Sequence, residues 1–218
     1  MMICFSGTDG AGKSTQIDLL SQLFQRNGRR YKVIWARGGY TPLFSFLKRT
    51  LQIIFGKKVP KSGPSEVRDK IFKNAIVAKI WLWIAIADLF LFYGVYARVL
   101  ALLGFVIICD RYVEDTEIDF QRNFPNIFDS SLFLWKLLIW TIPTAKYSFL
   151  LHVPVEVTMA RSKQKQEPFP DSAETLKFRL SSYLNEKNFP SSKYDKIDCR
   201  SDVKSIHLMI VNRIKVSL

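Results

Sequence analysis

The chain is poor in the residues that build metal centres and disulfide frameworks. Its 218 residues include 3 cysteines and 2 histidines. Cys4, Cys109 and Cys199 are far apart, odd in number and without CxxC spacing. That argues against a zinc site or a disulfide framework and leaves buried free thiols in a reducing cytosol as the expectation. His152 and His207 stand alone on apolar stretches, where packing is the expected role. Acidic residues are scarce too. Lys and Arg number 32 against 19 Asp and Glu, a net charge of +13, so the surface should attract phosphates, nucleic acid or anionic lipid. There is no recognition helix, RNA-binding aromatic motif, basic tail, internal repeat or low-complexity segment, so no specific nucleic-acid partner is expected. Long uncharged runs are also missing. The apolar stretch 76–109 is broken by Lys79, Asp88 and Arg98, and its longest uncharged run, 99–109, falls short of the roughly 20 residues that span a bilayer. A buried or dimer-forming helix is expected there. Peripheral membrane contact stays open, because 44–58 and 131–142 are apolar segments bearing Lys or Arg. No signal peptide is expected ahead of the first strand, which points to a cytoplasmic protein.

What is present begins at once. Residues 7–14 read G-T-D-G-A-G-K-S, matching GxxxxGK[ST] directly behind the apolar run 1–5. Such a loop aims backbone N–H groups at phosphate oxygens, so glycine is needed where a side chain would block the approach or φ must be positive. Lys13 would reach the β- and γ-phosphates, Ser14 would ligate Mg²⁺, and the helix behind would turn its positive end to the anion. That helix is expected over 15–25, with Ile17, Leu19, Leu20, Leu23 and Phe24 at spacings of three and four and Asn27-Gly28 as its stop. Residues 7–15 (Gly7, Thr8, Asp9, Gly10, Ala11, Gly12, Lys13, Ser14 and Thr15) are therefore the candidate nucleotide cradle.

The remaining chain alternates strand and helix. Strands are expected at 31–36, 105–109, 147–153 and 197–199, and helices at 44–55, 65–103, twice between Asp110 and Tyr147 with a break near Pro125, after Pro154, at 172–186 and at 203–216. This pattern requires a parallel sheet covered on both faces in one domain, 1–218, with ligands beyond the carboxyl ends of the strands. The phosphate loop, Arg37 and Asp110-Arg111 fall at such ends. Asp110 is placed to orient the waters of a metal held by Ser14, and Arg37 and Arg111 could grip an acceptor phosphate bidentately. A phosphate dianion needs no base, which favours a phosphate acceptor. A sugar or lipid hydroxyl would need one, and Asp9, Glu114, Asp115 and Asp119 are candidates.

The motif F-S-G-T-D-G-A-G-K-S-T at 5–15 together with D-R-Y-V-E-D-T at 110–116 resembles the thymidylate kinases. Arg37-Gly38-Gly39 with Thr41-Pro42 is similar to that family's Arg-rich Gly-Gly-Thr-Pro turn, and the similarity runs on through 149–161, 180–184 and the strand at 197–198. The resemblance implies a three-layer α/β/α P-loop kinase with a five-stranded parallel sheet and a lid at about 161–172. It implies a cytosolic homodimer that moves the γ-phosphoryl of ATP, with Mg²⁺, to dTMP or a related nucleoside monophosphate. In the family the equivalents of Arg37 and Arg111 hold the acceptor phosphate, with Asp9 beside it. Ala11 fits the kind whose loop is small and whose lid brings the arginine. Arg161 is then the first choice for the catalytic lid cation, with Lys163 and Lys165 behind it. The sequence departs where thymine should bind: the family's stacking Phe and base-contacting Arg read as Ala85 and Leu89, with Trp81, Trp83 or Phe90 as substitute stacking groups. A kinase of the same fold acting on a sugar or lipid at a membrane surface is the alternative. A P-loop protein that binds nucleotide or nucleic acid without phosphorylating a small molecule is a third reading.

Overall fold

In the computed structural model, described residues are 1–35, 41, 44, 49–50, 53, 74–164 and 172–215. Five strands, β1 (Met2–Gly7), β2 (Tyr31–Trp35), β3 (Val106–Asp110), β4 (Tyr147–His152) and β5 (Asp195–Asp198), form one sheet in the order β2-β3-β1-β4-β5. Every pairing is parallel, with Cys4 opposite Cys109 and Phe5 opposite both Asp110 and Phe149. The five-stranded parallel α/β architecture expected from the alternation is what the chain adopts.

The helices are α1 (Lys13–Arg26), α2 (Ala75–Leu89), a π-helical stretch Phe90–Tyr96, α3 (Ala97–Leu102), α4 (Val113–Asn123), α5 (Phe133–Thr141), α6 (Val155–Gln164), α7 (Ala173–Leu184) and α8 (Val203–Lys215). The central strand β1 is buried at all six positions, as a parallel strand with both faces covered should be. Alternate residues supply two cores. Ile3, Phe5, Ile108, Phe149 and Leu151 pack with Ile17, Leu20 and Phe24 of α1 and Ile206, Ile210 and Ile214 of α8. Leu150 instead joins Ile118, Tyr183, Phe189 and Tyr194. All three cysteines are free and buried.

The residues group into two compact units where sequence reading expects one domain: 1–35, 99–118 and 144–218 in the first, 36–98 and 119–143 in the second. The first contains the whole sheet. In the second, Phe120, Phe128 and Trp135 pack edge to face at 5.1–5.8 Å between ring centroids, and Phe44 meets Trp81 edge-on at 5.1 Å. Buried Asp88 accepts a hydrogen bond from the Thr41 hydroxyl, which itself accepts from the Phe44 N–H at 3.2 Å. The helical element Ala75–Leu102 is long and apolar enough to cross a membrane by length and composition, a third of its most apolar window being buried. Its apolar residues run all round it, so the three interrupting charges, Lys79, Asp88 and Arg98, do not prevent 28 continuous helical residues.

Candidate active site

Two backbone constraints shape the loop between β1 and α1. Gly7 has φ +132°, and a Cβ there would stand 1.8 Å from the carbonyl oxygen of Leu151, so β4 leaves room for glycine alone. Gly12, with φ +92°, caps α1 without any side-chain hydrogen bond, and no acidic residue occupies the helix's first turn. The positive helix end is thus left for an exogenous anion. Ser14 and Thr15 are exposed beside it.

Lys13 is buried and turned onto its own loop, donating from Nζ to the carbonyls of Gly7 at 2.9 Å and Thr8 at 2.7 Å. Burial first, then the Arg111 charge, lowers its pKa from 10.5 to about 8, against the opposing pull of Asp9, Asp110 and Asp115. Asp110, at the end of β3, is half-buried, and burial raises its pKa while Lys13 and Arg111 hold it down.

Arg111 follows β3 with φ +75°, a left-handed posture rare for a long side chain. Its N–H donates to the Phe5 carbonyl at 2.8 Å. One end of its guanidinium pairs with Asp9 in the phosphate loop. The other donates from Nη1 to the Tyr183 hydroxyl at 2.8 Å and to Asp115 Oδ1 at 3.3 Å. Tyr183 passes a hydrogen bond on to Asp115 Oδ1 at 2.6 Å, while Asp115 Oδ2 accepts from Ser6 Oγ at 2.5 Å and the Tyr112 N–H at 3.0 Å. A carboxylate with four donors is an orienting group, so Asp115 does not serve as the free base that sequence reading allowed. Glu114 is paired with Lys193.

Arg161 requires the largest adjustment. It is not on a lid: α6 is helical through Gln164, and the guanidinium donates to two backbone carbonyls, Gly10 at 2.7 Å and Cys199 at 3.1 Å. The charge is occupied in tying the phosphate loop to the chain after β5. Lys163 is exposed on the same helix, and Lys165 and the expected lid beyond it lie outside the described residues. So do Arg37, the basic loop 56–64 and most of the expected helix 44–55. Ala85 and Leu89, where base contacts were expected, are buried.

Sequence reading missed Arg179. This side chain is 8% exposed on α7 and donates from Nη1 to Asp9 Oδ2 at 3.1 Å. A signal was available: Leu176, Arg179 and Tyr183 are spaced as one helix stripe, and all three are buried. An arginine on an apolar stripe needs a partner. Asp9 therefore bridges Arg111 and Arg179, with Lys13 Nζ 3.8 Å from Oδ1.

No protein-family model matches the chain. A protein described as a probable thymidylate kinase, from Thermococcus kodakarensis, is 27% identical over all of this chain and 98% of its own length. Two structures of deoxyadenosine kinase from M. mycoides, one with products dCMP and a flexible dCDP, the other with dATP, align over 99% of this chain and all of theirs. Each has a TM-score of 0.59, with 17% and 19% identity respectively. The phosphate loop, its facing guanidiniums and these full-length likenesses agree on the architecture: the chain has the P-loop kinase fold and is similar from end to end to a probable thymidylate kinase.

Proposed function

We propose that this chain transfers the γ-phosphoryl group of ATP to a nucleoside monophosphate, with dTMP the first candidate. The observation that carries this reading is the Asp9–Arg111 pair. It holds a buried guanidinium from the end of β3 against the phosphate loop, where an acceptor phosphate must meet the donor. A phosphate acceptor suits the site because Asp115, the best-placed carboxylate, is committed to four donors and no base is required.

Mg²⁺ fits the residues present. Ser14 offers an exposed hydroxyl and Asp110 a half-buried carboxylate whose charge Lys13 and Arg111 support. Among the described residues no group of three or more His, Cys, Asp or Glu builds a protein-only cage. An oxygen-poor site of this kind suits a cation that keeps waters and substrate phosphates as ligands. Bound there, Mg²⁺ would draw charge off the donor phosphates. Arg37 is proposed as a second acceptor-phosphate ligand on the resemblance alone.

A coupled assay of ADP release over dTMP, dUMP, dCMP, dGMP and dAMP tests the reading, and release at background with all five would reject it. The alternative, a sugar or lipid acceptor at a membrane, is favoured by one observation. Phe133 and Trp140 of α5 are 76% and 81% exposed, with Lys136 between them. Co-sedimentation with anionic vesicles, together with turnover of a lipid-linked hydroxyl but no monophosphate, would support it. The same apolar surface suits a second copy of the chain, and sedimentation equilibrium checks the homodimer.

A further inference from the structure

We propose that Arg179 is the arginine that neutralises the phosphoryl group in flight, and that Asp9 occupies its guanidinium until the nucleotides are bound. The proposal rests on the kinase reading above and adds a residue to it. Three observations lead there, all within the sheet-bearing unit.

The first is placement. Arg179 lies on the buried stripe of α7, one turn before Tyr183, and Tyr183 holds the far end of Arg111. One helix face thus positions two guanidiniums at the phosphate loop, Arg111 through a hydroxyl and Arg179 directly. The second is the shape of what they grip. Asp9 offers Oδ1 to Arg111 and Oδ2 to Arg179, with the Lys13 ammonium 3.8 Å from Oδ1. Three cations around a two-oxygen anion is the arrangement a phosphoryl group would ask for, and the carboxylate stands in for it. The third is the fate of the loop itself and of Arg161, the first-choice cation. Ala11 puts no cation inside the loop, and both terminal nitrogens of Arg161 are taken by the carbonyls of Gly10 and Cys199.

In the reaction, an oxygen of the acceptor phosphate forms a bond to the γ-phosphorus. The bond from that phosphorus to the β,γ-bridging oxygen breaks, and its electron pair stays on ADP. A dianionic acceptor has no proton to lose. Arg179 remains protonated throughout, its N–H groups moving from Asp9 to the equatorial oxygens, where charge accumulates as the group passes.

The test compares wild type with Arg179→Ala, Arg179→Lys and Arg161→Ala, using ATP and the acceptor that the five-substrate assay selects. Arg179→Ala should lower kcat by about 100- to 1,000-fold, the size of losing one preorganised donor to a transition state, and leave ATP affinity within about threefold. Added guanidinium ion should restore at least about tenfold of that loss in Arg179→Ala and none in Arg161→Ala, whose defect should fall on ATP affinity. Arg179→Lys keeps the charge that pairs with Asp9 and so guards against misfolding. It should melt like wild type and still lose kcat, because a point charge cannot replace a planar fork. An unchanged kcat in either Arg179 variant, or no guanidinium rescue of a folded Arg179→Ala protein, would overturn the proposal while leaving the kinase reading in place. Absence of wild-type turnover with every monophosphate would remove both.

Discussion

The Tyr183 hydroxyl donates to Asp115 at 2.6 Å across 68 residues of sequence, and in the same position accepts from Arg111 at 2.8 Å. The phenol is a relay that shares the guanidinium with Asp9 and Asp115. Removing it should loosen Arg111 without removing its charge. Tyr183→Phe is expected to cost about 1–2 kcal/mol of stability, since it leaves a buried carboxylate oxygen short of a donor. It should raise the acceptor KM several-fold while the ATP KM barely moves. Urea melts and initial rates check the two halves separately, and equal changes in both KM values would contradict the relay.

Lys13 carries a pH signature. Its pKa of about 8 in the folded chain lies below its ordinary 10.5, so the unfolded chain holds the extra proton between those values. The contribution of this group to stability therefore rises as pH increases through that window, and below it the cost of burying the ammonium is felt in full. A bound triphosphate favours the ammonium and returns the proton. ATP binding at about pH 8.5 should take up roughly half a proton or more, and at about pH 6.5 almost none. Calorimetry in two buffers of different ionisation enthalpy measures it, and equal uptake at both values would count against the assignment.

The two loop glycines should respond very differently to alanine. At Gly7 the new Cβ meets the Leu151 carbonyl oxygen at 1.8 Å in a backbone posture of φ +132°, so no folded protein is expected. At Gly12 nothing lies within 4 Å of the new atom, and the cost is the left-handed posture alone, about 1–2 kcal/mol. Circular dichroism and denaturant midpoints separate the cases.

Asp88 has a buried oxygen, Oδ1, without a hydrogen-bond partner among the described residues, and burial raises its pKa against the Thr41 and Phe44 hydrogen bonds that lower it. Keeping this carboxyl ionised costs stability above its folded pKa, and the cost is relieved as pH falls through it. Asp88→Asn retains an acceptor for Thr41 and drops the charge. It should match or exceed the wild-type melting temperature at neutral pH, with the difference shrinking toward about pH 4. A lower melting temperature at neutral pH would mean the charge itself is needed.

Much of the frame was legible because its signals are local. The phosphate loop is contiguous, and the apolar run ending in Asp110-Arg111 marks a central strand by composition alone. Arg161 and Arg179 show where that ends. A basic residue after Pro154 reads the same whether it faces solvent or a loop carbonyl, and the partners of Arg161 are 151 and 38 residues away. Arg179 broke an apolar stripe, a visible sign, but only the fold brings it to Asp9. The π-helical stretch Phe90–Tyr96 left no trace, since a helix apolar on every side has no phase to shift. The split into two units was hidden because the chain passes between them four times, at 35/36, 98/99, 118/119 and 143/144, so no single linker marks it.

The φ of +75° at Arg111 has a corollary for stability. Glycine would relax that peptide but surrender the cation. Any other side chain would inherit the discomfort, of order 1–3 kcal/mol, without the benefit. Stability can therefore be raised at this joint by relaxing the backbone only if the guanidinium is given up.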